Sequence, residues 1–119
     1  MSCPLVPISI GELLDKITIL LIKAEHTDNE YVQKELQDLT KIAQDLGVYK
    51  DEYINDLLRV NRELWDVEDE IRIHEDKWLF NDDFIRLART VYITNDERAK
   101  IKKNINIETK STYQEVKLY

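Results

Sequence analysis

Only two glycines (Gly11, Gly47) and two prolines (Pro4, Pro7) occur in 119 residues, and both prolines fall within the first seven. Sandwiches, barrels and doubly wound sheets reverse direction often, and their turns draw on the free φ of glycine and the fixed φ of proline. A chain this poor in both must reverse rarely, between long elements. With 34% charged and 43% hydrophobic residues, those elements are solvated amphipathic helices. The expected fold is therefore all-α: one domain over residues 1–119, with four to five helices dominated by a long antiparallel helical hairpin.

Local signals place the helices. Residues 1–8 read as an extended lead-in. Ser9 is a natural N-cap, and Glu12 three residues on completes a capping box. The first helix runs to about His26 and buries Ile10, Leu13, Leu14, Ile17, Leu20, Leu21 and Ala24; Ile19 and Ile22 lie off that face and call for a second covering surface, such as another subunit. Thr27-Asp28-Asn29 breaks the chain before a helix from about Glu30 to Leu46, with Gly47 as its stop. The third helix spans about Asp51 to Lys77. Asn81-Asp82-Asp83 caps a fourth beginning near Phe84, and Thr94 with Glu97 could form a fresh capping box, so residues 84–106 read either as one helix or as two. Residues 107–119 turn β-prone (Thr109, Thr112, Tyr113, Val116, Tyr119) and read as an extended tail, pairing with residues 5–8 or wrapping another subunit.

The informative residues are polar groups on apolar faces. At 100° per residue, Asn61, Glu68, Arg72 and Glu75 share an arc with Ile54, Leu57, Leu58, Leu64, Trp65 and Ile71. Such a seam is either an ion-pair ladder, with Glu68 reaching Arg72 or crossing to Arg98 or Lys102, or a ligand site. On the fourth helix Asn95, Arg98, Lys102 and Asn106 share a face with Phe84, Leu87, Ala88, Val91 and Ile105. Were a helix to restart at Asn95, its free N–H groups with Arg98 and Lys102 would hold a phosphate or carboxylate, and Arg89 and Tyr92 would line the pocket. Trp65 and Trp78 read as core and hinge anchors, and His26 and His74 as solvent-facing.

Charge narrows the partners. Residues 84–119 carry eight bases against four acids, a balance of +4 that leaves −11 on the first 83. An acidic body with a basic end suits packing of one upon the other, within a chain or in a homodimer. The net charge of −7 argues against duplex DNA. Cys3 stands alone, so neither a disulfide nor a thiolate metal site is expected. Glu68 and Glu75 lie about 10 Å apart along the helix axis, too far to chelate one ion. Glu35-x-x-Asp38 and Glu63-x-x-Asp66 loosely imitate helical nucleotide pyrophosphatases, but Glu63 and Asp66 point away from the apolar arc. No metal and no cofactor is expected. The longest apolar run, residues 17–22, is too short to span a bilayer, so the chain is expected to be cytoplasmic without membrane insertion.

Three blocks carry a resemblance: Ile8-Ser9-Ile10-Gly11-Glu12-Leu13-Leu14-Asp15-Lys16-Ile17-Thr18-Ile19-Leu20, then Asn61 through Arg72, then Phe84 through Tyr92 with Asn95 through Asn106, closed by Glu115-Val116-Lys117 and Tyr119. Together they resemble an uncharacterised family of short bacterial and phage proteins encoded near, or fused to, glycosyltransferases of cell-surface polysaccharide loci. Together with the stray apolar residues of the first helix and the charge asymmetry, the resemblance leads one to expect a non-catalytic interaction or accessory module, open to a protein partner and serving glycan or nucleotide-sugar metabolism. It assigns no catalytic residue. It also leads one to expect a glycine before Ser111, where this chain has Lys110. The alternative reading is a binding protein or enzyme for a phosphate-bearing small molecule, using Asn95, Arg98, Lys102 and Glu68.

Overall fold

The computed structural model describes residues 2–118; Met1 and Tyr119, the latter placed in the tail by its sequence, lie outside them. Four helices account for its regular structure: α1 (Ile10–His26), α2 (Glu30–Asp45), α3 (Asp51–Asp76) and α4 (Asp82–Glu108). No strand occurs among the described residues.

The centre of the fold is α1, which packs against all three other helices, whereas α2 packs against α1 alone. Two faces of α1 make this possible. Leu13, Leu14, Ile17 and Leu20 form the apolar face, with Leu14 and Ile17 fully buried. Gly11, Asp15, Thr18 and Ile22 recur at spacings of four, three and four, which places them on a second face. All four are buried. Ile22, which its sequence position assigned to a covering surface, is thus sheltered by the chain's own helices.

The core gathers Leu13, Leu14 and Ile17 with Ala43 of α2, Tyr53, Ile54 and Leu57 of α3 and Ile105 of α4. At its edge the Tyr53 hydroxyl donates to Glu108 Oε2 at 2.5 Å. That hydrogen bond, with burial and the carboxylate's charge adding to it, pushes the phenol up to about 12. A phenol that holds its proton longer when folded contributes stability below pH 10 and loses it as pH rises from 10 to 12. The urea midpoint should therefore fall more steeply over pH 10–12 in the native chain than in Tyr53→Phe. Parallel slopes would mean that the bond does not form in solution.

Helix ends follow from side chains. Ser9 Oγ accepts from Glu12 N, Asn29 Oδ1 from Tyr31 N and Asn81 Oδ1 from Phe84 N. Three C-termini close in the same way, with a left-handed residue whose N–H, and the next one, return to carbonyls of the last turn. Gly47 (φ 71°) serves α2, Trp78 (φ 55°) α3 and Lys110 (φ 55°) α4. Trp78 is accordingly no hinge anchor. It is 81% exposed, its ring set edge-on to Phe80. At Lys110 a side chain occupies a conformation that glycine adopts freely, at a cost of about 1 kcal/mol. Lys110→Gly should raise stability by about that amount in urea unfolding; a loss instead would show that the lysine makes a compensating contact.

Between the two readings of residues 84–106 the structure selects one helix. Thr94 is buried in its interior, and the Asn95 carboxamide, which a restart would have turned to capping, accepts from Arg98 NH2 at 2.7 Å. The tail does not pair with residues 5–8, where Leu5 and Val6 stay exposed. It is pinned to the start of α1 and along α4 instead: Ser111 Oγ accepts from Ile10 N at 3.1 Å, and Glu115 and Lys117 meet Lys102 and Asp96, each at 3.3 Å.

Candidate functional site: a polar junction of three helices

Where α1, α3 and α4 meet, the interior is polar. Asn61 of α3, buried, donates through Nδ2 to Asp15 Oδ1 at 2.8 Å and to Thr18 Oγ1 at 2.9 Å. Thr18 Oγ1 in turn donates to the Asp15 carbonyl at 2.8 Å. On its other side the Asn61 carbonyl accepts from Arg98 NH1 at 3.1 Å, while Arg98 NH2 donates to Asn95. A neutral amide therefore separates a buried carboxylate, Asp15, from a half-buried guanidinium, Arg98. Among the described residues neither has an oppositely charged group within ion-pair distance.

One turn along α4, Lys102 is handled differently. Burial disfavours its charge, yet hydrogen bonding to Glu12 at 2.7 Å and the nearby carboxylates of Asp15 and Glu115 outweigh this and hold its pKa above the usual lysine range. Glu12, expected to return to Ser9 in a capping box, has its carboxylate on Lys102. Beyond it the Gly11 N–H donates to Asn106 Oδ1 at 2.7 Å, so the first turn of α1 is capped from α4 and the tail as well as by Ser9. Asn106 Nδ2 is buried without a hydrogen-bond partner among the described residues.

The ionic pairing differs from the expected ladder. Glu68, Arg72 and Glu75 are exposed, and none forms an ion pair among the described residues. The reason is register. Of the seam's polar residues Asn61 is buried, whereas Glu68, Arg72 and Glu75, further along α3, face solvent. The acids that meet the basic face of α4 come from α1 and the tail, and α3 supplies a base there, Arg59, paired with Glu97 at 2.8 Å. Arg62 likewise pairs with Glu25 at 2.5 Å, which draws that carboxyl below its usual pKa.

Two grooves flank the junction, and Arg98 lines both. One, of about 610 Å³, is bounded by Val91, Tyr92, Asn95, Asp96, Ala99, Lys102, Glu115 and Lys117. The other, of about 380 Å³, runs along α3 past Asn61, Leu64, Trp65, Glu68, Asp69 and Arg72, with Ile19 and Ile22 of α1. Of the anion-binding candidates, Tyr92, Asn95, Arg98 and Lys102 thus converge on one groove, although with no helix N-terminus there. Arg89 is exposed and lines neither groove; Glu75 also stands outside both. Trp65 stacks on His26, with ring centroids 4.7 Å apart and planes 13° apart. Asp15, Thr18 and Glu12 complete the junction. The signal for Asp15 and Thr18 was the same second face of α1 that carries Ile22, whereas Glu12 lies off that face and read only as a capping-box residue.

No cluster of three His, Cys, Asp or Glu side chains able to hold a metal ion occurs among the described residues, and no helix is long and apolar enough to cross a membrane. Glu35, Asp38, Glu63 and Asp66 are all exposed, on helices that do not pack together. No curated protein and no solved structure matches the chain. A model of a family of unknown function, DUF6165, matches residues 5–119, nearly the whole length, and the chain belongs to that family.

Proposed function

We propose that this chain is a non-catalytic binding module whose polar junction receives an anion-bearing small molecule at Arg98. One observation carries the reading. Arg59, Arg62 and Lys102 each meet a carboxylate, whereas among the described residues Arg98 donates only to the neutral amides of Asn61 and Asn95 and opens onto two grooves. A guanidinium has five N–H donors in a planar fork that matches carboxylate and phosphate, and two account for the amides. The resemblance to proteins encoded beside polysaccharide glycosyltransferases supports an accessory role in glycan or nucleotide-sugar metabolism. A thermal-unfolding titration with inorganic phosphate tests the binding. Phosphate at a hundred times its dissociation constant should add about 2.7 kcal/mol and raise the midpoint by roughly 10 °C. Folded Arg98→Gln should show no rise, and an equal rise in both proteins would refute the assignment.

Homodimerisation belongs to the same proposal. Tyr31 and Ile42 on α2 and Leu46 at its C-cap, with Leu5 and Val6 of the lead-in, remain exposed and border one groove, a larger apolar surface than single scattered residues would make. Light scattering at micromolar concentration should give twice the chain mass; a monomer would count against this part alone.

A further inference from the structure

We infer that the ligand lies in the groove along α3, and that it is a phosphate-headed molecule with a flat apolar body and hydrogen-bond donors at its far edge. That is the order of groups in a nucleoside monophosphate with a donor-rich base. The inference rests on Arg98 as the anion site and adds which of its two grooves is used, and by what.

The groove beside the tail is electrostatically closed. Lys102 is held by Glu12 and Glu115, Lys117 by Asp96, and the carboxylates of Asp96 and Glu115 line its wall. An anion there would face acids whose cations are already engaged. The groove along α3 also has carboxylates at its far end, Glu68 and Asp69, but its cations Arg98 and Arg72 have no carboxylate at ion-pair distance among the described residues. Its floor is apolar, formed by Ile19, Ile22, Leu64 and Trp65. The indole is held in place by His26 stacked against it, so little side-chain freedom is lost when a flat body settles on the groove.

The groups beyond the floor set the ligand's far end. Arg98 is tied to Asn61, and Glu68 lies seven residues further along α3, about 10 Å at 1.5 Å per residue. Glu68 and Asp69 line the groove without a cation at ion-pair distance among the described residues. A carboxylate only accepts hydrogen bonds, so what meets it must donate. A guanine edge presents such donors. A bare phosphate fills the Arg98 end alone.

Calorimetric titration of the full chain with inorganic phosphate, phenyl phosphate and guanosine monophosphate reads each part separately. Phenyl phosphate should bind about tenfold tighter than phosphate through its ring, and guanosine monophosphate tighter again. Trp65→Leu should abolish the advantage of phenyl phosphate. Glu68→Gln, at an exposed position that leaves the fold intact, should abolish the further advantage of the nucleotide. Tyr92→Ala, on the wall of the other groove, should change none of the three affinities. Equal, Arg98-dependent affinity for all three ligands would overturn this inference and leave the anion site standing. Weakening by Tyr92→Ala rather than Trp65→Leu would overturn it by placing the ligand in the other groove. Binding of none of the three would remove the anion site and this inference with it.

Discussion

Gly11→Ala is expected to cost about 3 kcal/mol, although alanine favours a helix over glycine by about 1 kcal/mol. The methyl group would lie 2.7 Å from the Lys102 carbonyl oxygen and 2.9 Å from Asn106 Oδ1. Neither atom can give way. The first belongs to the backbone of α4, and the second is held by the Gly11 N–H on a fully buried side chain. The two helices must separate, which exposes Ile105 and loosens the caps on the first turn of α1. Urea unfolding measures this directly. A loss below about 1 kcal/mol would mean that α1 and α4 slide apart without disturbing the core. Gly47 is the contrast: its φ of 71° favours glycine, but no atom of the described residues lies within 4 Å of an added Cβ.

Asn61→Ala should cost a similar amount for a different reason. Its carboxamide makes three hydrogen bonds, and its loss leaves a carboxylate only 5% exposed, together with Arg98, short of a partner. Stranding such groups costs about 3 kcal/mol, or roughly 12 °C in the unfolding midpoint of a domain this size. Exchanging the two groups, as Asp15→Asn with Asn61→Asp, places the carboxylate directly against Arg98. The double variant should be much more stable than the sum of the single ones. Additivity within about 0.5 kcal/mol would show that the residues do not act as a unit.

What could be read in advance depended on the range of the interaction. Helix positions follow from neighbours within four residues: Ser9, Asn29 and Asn81 cap, and Gly47 stops α2. The basic face of α4 was likewise legible, because Asn95, Arg98, Lys102 and Asn106 recur at helical spacing. The partners of those residues were not. Periodicity fixes which residues share a face but not how far one helix extends beyond another, so Glu68 read as the acid that could cross to Lys102, while Glu12, which does pair with it, read as a capping-box residue. That Asn95 lies within a helix was equally beyond reach, since its side chain could cap a new turn or accept from Arg98. The glycine expected before Ser111 marked a real conformational demand, which Lys110 meets at a cost.

Arg98 can hold an anion only because it has donors to spare. Arginine side-chain NMR during a phosphate titration tests this most directly, because each Nε–Hε group gives its own signal. The Arg98 signal should shift first and saturate, while those of the exposed Arg86 and Arg89 follow only at high concentration. An Arg98 signal that stays still while the exposed arginines respond would contradict the account.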